Sequence, residues 1–141
     1  MKANFEIVDN YAIRLEGRLV DLHNNFKFTG YHYFVDEKTL IFTWTKSEGE
    51  WVPKDEVNKV VLKHINISYV DLKFDKNGIG VVAQAESCLY DISYFPSVDR
   101  ETFSELMIQA FPTENDDIIY TFESGHFFRI KCDSIFATLE N

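Results

Sequence analysis

Positive charge is missing from a long middle stretch of this chain. No lysine occurs between Lys76 and Lys131. In residues 86–125 a single cation, Arg100, stands against nine acids: Glu86, Asp91, Asp99, Glu101, Glu105, Glu114, Asp116, Asp117 and Glu123. That stretch carries −8 of the formal net charge of −9. So one-sided a field disfavours nucleic acid and anionic membrane, and it favours a basic partner. Interspersed lysines are the ordinary way to build a soluble surface, and omitting them leaves a self-repulsion that a cationic partner would relieve.

Glycine, proline and cysteine are scarce too, at six, three and two of 141 residues. With no Gly/Ser-rich or Pro-rich linker, residues 1–141 read as a single globular domain. Cys88 and Cys132 fit no C-x-x-C pattern, and they read as reduced, mostly buried thiols of a cytoplasmic protein. Met1 to Glu6 hold one cation with no apolar run behind it, so no secretory signal is expected. No apolar run approaches the length of a membrane span. There is no Gly-rich phosphate loop and no G-x-S-x-G elbow. Asp75, Asn77, Gly80 and Glu86 take four positions of a calcium loop, but Ile79 and Ala83 fall where oxygen ligands are needed. We expect no cofactor and no metal.

What the chain has in abundance is aromatic surface, 16% of all residues, enough to dominate a core of this size. The dominant period is two. Phe26, Phe28, His32 and Phe34 alternate with Lys27, Thr29, Tyr31, Tyr33 and Val35, and Leu40, Phe42 and Trp44 alternate with Ile41, Thr43 and Thr45. With a polar turn between them, residues 26–46 predict a β-hairpin. A second hairpin pairs Tyr120 with Phe128 and Phe122 with His126 across Glu123-Ser124-Gly125, with Gly125 at the position that needs positive φ. Residues 58–74 are strand-like but lose phase twice, which predicts bends near His64 and near Tyr69–Val70. Cys88, Tyr90, Ile92 and Tyr94 alternate up to Pro96. Asp75–Gly78 reads as a turn, and strands are expected at 4–8, 11–22, 79–83 and 134–139.

One helix is expected at residues 98–110, where Phe103, Leu106, Met107, Ala110 and Phe111 make one apolar stripe. The fold class is therefore mainly β: a single-domain antiparallel curved sheet, or a partly open barrel or sandwich, carrying one short amphipathic helix.

His23, His32, His64 and His126 match no zinc spacing, and nothing local sets either cysteine beside a histidine. They read as one hydrogen-bonded core histidine, two surface histidines and one turn residue. Trp44 falls on the Leu40/Phe42 face and reads as core. Trp51 stands in a loop between Ser47-Glu48-Gly49-Glu50 and Pro53, a better interface candidate.

The layout resembles small, acidic, β-rich bacterial proteins of uncharacterised families, including immunity proteins of contact-dependent and polymorphic toxin systems. The residues that carry the likeness are the Val60–Phe74 stretch, with Asn66-Ile67-Ser68-Tyr69 at its centre, and the closing hairpin Asp117–Ser134, with Phe122-Glu123-Ser124-Gly125. The resemblance implies a non-enzymatic protein that neutralises a partner by binding it. The expected partner is a basic protein, such as a toxin, docked on Glu101, Glu105, Glu114, Asp116, Asp117 and Trp51. Two alternatives stand beside this. One is a small-molecule binder or enzyme with Tyr31, Tyr33 and Trp44 walling a pocket in a barrel mouth. The other is a structural or dimerisation module using a sheet edge.

Overall fold

The computed structural model describes residues 1–73, 87–101 and 108–141. In chain order the strands are β1 (Lys2–Ala3), β2 (Glu6–Val8), β3 (Ala12–Leu15), β4 (Arg18–Asp21), β5 (Phe26–Phe34), β6 (Thr39–Lys46), β7 (Lys59–Ile65), β8 (Tyr69–Lys73), β9 (Leu89–Pro96), β10 (Asp116–Phe122), β11 (Phe127–Lys131) and β12 (Ser134–Glu140). They form a five-stranded sheet, β1-β12-β7-β6-β5, a four-stranded sheet, β8-β11-β10-β9, and a three-stranded sheet, β2-β3-β4. Pairing is antiparallel except between β1 and β12. Among the described residues no sheet closes into a barrel, and no helix is long and apolar enough to cross a membrane.

The two larger sheets meet on aromatic rings. Alternation on β6 buries Leu40, Phe42 and Trp44. The Phe42 ring lies 4.9 Å from Tyr120 and 4.8 Å from Phe128 on the opposing sheet. Phe28 joins the same cluster, 4.9 Å from Phe122. The closing hairpin has the expected register, with Tyr120 opposite Phe128, the Phe122 amide on the His126 carbonyl and Gly125 at φ 85°.

The buried histidine is His64, at 0% exposure. A carbonyl only accepts, so the 2.9 Å contact from Nδ1 to the Leu40 carbonyl puts the proton on Nδ1. Nε2 then accepts from the Tyr120 hydroxyl at 2.7 Å. Burial lowers the His64 pKa from 6.5 to about 4. His32 lies exposed on the hairpin against Phe34, with ring centroids 4.2 Å apart.

Several expectations need correction. Thr29 is an extra residue in the β5–β6 ladder. It reverses the phase, so Tyr31 and Tyr33 oppose Phe42 and Leu40 while His32 and Phe34 take the other face. Tyr90 is likewise extra in the β9–β10 ladder, and it is exposed although it alternates with Ile92 and Tyr94. Residues 11–22 are a hairpin, with Glu16 and Gly17 both at positive φ in a two-residue turn. No bend interrupts β7 at His64. The break comes at 66–68, with Asn66 at φ 60°, where the chain passes from the five-stranded to the four-stranded sheet.

The helix expected at 98–110 is not seen in the described residues. Ser97–Asp99 form a 3-10 turn. Residues 108–110 are not helical, and Ile108 and Phe111 are exposed. The Ala110 carbonyl accepts from the Ile7 amide of β2. Gln109 and the Thr113 amide both donate to Asp116. Those bonds hold the segment in an irregular path. Phe103, Glu105, Leu106 and Met107 lie outside the described residues, as do the Asp75–Gly78 turn and the strand at 79–83.

Two predictions follow from the buried polar groups. An unfolded histidine takes its proton at 6.5, but folded His64 stays neutral to about 4. Through that window the unfolded state binds more protons, so stability falls as pH falls, by on the order of 3 kcal/mol in total. Urea melts between about pH 7 and pH 4 should show this slope in the wild type and a shallower one in His64→Gln. Asp117, at 0% exposure, accepts from Arg129 Nε at 2.6 Å, from Arg100 at 2.8 Å and from Ser97 at 2.7 Å. Removing that carboxylate strands a buried guanidinium, so Asp117→Ala should cost about 3–5 kcal/mol in denaturant unfolding.

Candidate functional site

Four segments converge at the Leu89 end of β9. The first is the turn after β4. Asp21 accepts from the Asn24 amide and side chain, and its carbonyl accepts from the Asn25 amide. This local hydrogen bonding is what Asp does well in turns. The second segment is the loop after β6. The Ser47 amide donates to the Asn25 carbonyl, and Trp51 Nε1 donates to the Asn24 carbonyl at 3.0 Å. The third is Ser87–Leu89. The fourth is the β10–β11 turn, where the Glu123 amide donates to the Cys88 carbonyl at 3.0 Å.

Trp51 is 71% exposed, yet its indole is held at two points. Nε1 is bonded to Asn24, and the ring lies so close over Gly49 that a methyl group on that α-carbon would strike it. Beneath it is a crevice of about 250 Å³ lined by His23, Phe26, Lys27, Glu48, Trp51 and Cys88 among others.

His23 and Cys88 line this crevice, and Glu123 meets them beside it. One ligand atom from each lies within 4.8 Å of the other two. His23 Nδ1 is 2.5 Å from the Leu89 carbonyl and 3.9 Å from Cys88 Sγ. Burial, then the negative charge and hydrogen bond of Glu123, push the Cys88 thiol up to about 11. Near neutrality it is a protonated thiol, not a poised nucleophile. Burial also raises the Asp91 carboxyl, and His23 offsets part of that rise.

The acidic stretch does not form the one outward face expected of it. Glu101 and Glu114 are exposed. Asp116 and Asp117 are buried at 2% and 0%, because hydrogen-bond donors meet them inside. Burial alone would raise Asp117, but Arg100, Arg129 and Ser97 together hold it below the ordinary carboxylate range. Arg100 also stacks 3.6 Å over the Tyr69 ring. Glu105 lies outside the described residues. The exposed acids are divided between the two ends of β9. Glu123 is at the Leu89 end, while the Asn115 carbonyl beside Glu114 accepts from Ser97 at the Pro96 end. Eight residues of strand separate these ends by roughly 25 Å, several times the screening length of about 8 Å.

Trp44, at 0% exposure, is core and cannot wall a pocket with Tyr31 and Tyr33. Trp51 is exposed in its loop, as its context predicts. Both cysteines are unpaired, Cys132 buried and Cys88 half-buried. The meeting of Cys88 with His23 was not foreseen, because the two are 65 residues apart and no local spacing signals it. Comparison with protein-family models, with curated proteins and with solved structures finds no match to this chain.

Gly49→Ala should displace the Trp51 ring and break its bond to Asn24 while leaving the core unchanged. Tryptophan emission should shift, because Trp44 is buried and Trp51 alone reports the surface. The urea midpoint should move little, as surface changes cost within about 0.5 kcal/mol.

Proposed function

We propose that this is a non-enzymatic binding protein that captures a basic protein partner on the surface around Trp51. The observation that carries this reading is an exposed tryptophan held in one orientation beside a crevice. Aromatic anchors of this kind dominate binding energy at interfaces, and an anchor already held in place loses less freedom on binding. Glu48, Glu50 and Glu123 are exposed, Glu48 in the crevice lining and Glu123 beside Cys88. They supply negative charge around the aromatic centre, and the formal charge of −9 extends the attraction to longer range. Glu101 and Glu114, at the far end of β9, are screened from this surface at physiological salt and do not touch the same ligand. Neutralisation of a basic toxin by an immunity-type protein is one activity of this form.

A second reading rests on β5. It is the last strand of its sheet, and among the described residues nothing pairs with its outer edge. Tyr31, Tyr33, Phe34 and Val35 on it and beyond it are exposed. Such an edge can pair with a second copy of the chain.

The two readings separate in one experiment. Wild-type protein and Trp51→Ala are used as baits at low and physiological salt, and each recovered partner is then measured by association kinetics. A basic partner should bind Trp51→Ala at least about 30-fold more weakly, consistent with a loss of 2 kcal/mol or more at a central anchor. Changing Glu48, Glu50 and Glu123 to Gln should slow association and flatten its salt dependence. Partners that bind the variants as well as the wild type would overturn this reading. A concentration-dependent dimer broken by Tyr33→Lys would hand the argument to β5.

A further inference from the structure

We propose that His23, Cys88 and Glu123 form a site for a divalent ion of the zinc class, set in the wall of the crevice beside Trp51. The proposal stands on donor chemistry and convergence. It does not depend on the partner reading.

The donor set is one imidazole nitrogen, one sulfur and one carboxylate oxygen. Hard cations such as calcium and magnesium take oxygen ligands and would leave the sulfur and the nitrogen unused. Zinc and its borderline-soft relatives take this mixture. A thiolate and a carboxylate together also balance a divalent charge.

The three groups come from three separate segments, and backbone bonds hold each of them near the others. The Leu89 carbonyl holds the His23 ring by accepting from Nδ1 in the metal-free protein, and a metal taking that nitrogen would displace the proton and this bond. The Glu123 amide is tied to the Cys88 carbonyl at 3.0 Å, which fixes the hairpin turn against the start of β9. Ligand atoms in a tetrahedral zinc site lie about 3.3–3.7 Å apart, given metal–ligand bonds of about 2.0–2.3 Å. The three ligand atoms here lie within 4.8 Å of one another, with Cys88 Sγ and His23 Nδ1 already at 3.9 Å. Closing the remainder calls for side-chain rotation, at positions that are half-buried or exposed. Three protein ligands leave a fourth position open. The crevice of about 250 Å³, whose lining includes His23 and Cys88, gives water or another donor access to that position. A site with an open position differs from the closed four-ligand arrangement of purely structural zinc.

The test uses the full chain after treatment with a chelator. Zinc alone is titrated by calorimetry, and cobalt alone is followed by absorption. We expect one equivalent to bind, with a thiolate-to-cobalt charge-transfer band that surface carboxylates cannot produce. Cys88→Ser should abolish the band. Cys88→Ser, His23→Gln and Glu123→Gln should each weaken zinc binding by more than about 100-fold, beyond the 10- to 100-fold that follows loss of a supporting hydrogen bond. Cys132→Ser should change neither readout. In the wild-type protein, where folding is not in question, zinc should protect Cys88 from alkylation, as mapped by mass spectrometry. The proposal is overturned if no stoichiometric zinc binds. It is equally overturned if the cobalt band survives Cys88→Ser, or if zinc leaves Cys88 alkylation unchanged.

Discussion

Inside the aromatic interface between the two large sheets the Tyr120 hydroxyl donates a 2.7 Å hydrogen bond to His64. Aromatic rings pack around it. Phe42 packs against both partners of the bond, 5.0 Å from His64 and 4.9 Å from Tyr120. Ring packing holds the sheets together but tolerates sliding, because dispersion has little direction. A buried hydroxyl facing a buried imidazole does not tolerate it, since any slip leaves both groups unpaired. The Leu40 carbonyl completes the arrangement by fixing the tautomer. Sheet separation, relative register and the neutrality of His64 therefore belong to one constraint.

From that constraint the rest of the charge distribution follows. Once β10 is registered with Tyr120 on the core face, Asp117, three residues earlier, takes the opposite face, where it is buried and must be met. Arg129 from the neighbouring strand and Arg100 from the segment after β9 meet it. The one cation of residues 86–125 is thus spent inside its own segment, together with one of the nine acids. The remaining exposed charge is carried to both ends of β9. A stretch that is continuous along the chain becomes two surfaces in space.

The Leu89 end holds what the structure offers for recognition. There the turn after β4, the loop after β6 and the β10–β11 hairpin turn meet. Trp51 is presented outward by a bond to Asn24, and His23, Cys88 and Glu123 face one another beside it. Loops carried by a rigid sheet core can hold such groups in place, although each loop alone would not.

Much of the architecture was legible in period-two alternation: both aromatic hairpins, Trp44 in the core, Gly125 at its turn and Trp51 in an exposed loop. These are local properties. Side-chain direction alternates along any strand, and a positive φ favours glycine wherever it occurs. The errors fell where a local rule was interrupted. Thr29 and Tyr90 shift the phase by one residue, and nothing in their side chains marks them as extra. The segment at 108–111 carries helical spacing, but its backbone and side chains are bonded to Ile7 and Asp116 instead. Charge gave the clearest division. That residues 86–125 are acidic is a fact of the chain, but which acids reach solvent depends on Arg129 arriving from another strand. Likewise His23 and Cys88 lie 65 residues apart. Only the registered packing of the sheets brings them within reach, because a contact between distant segments is set by the geometry of everything between them.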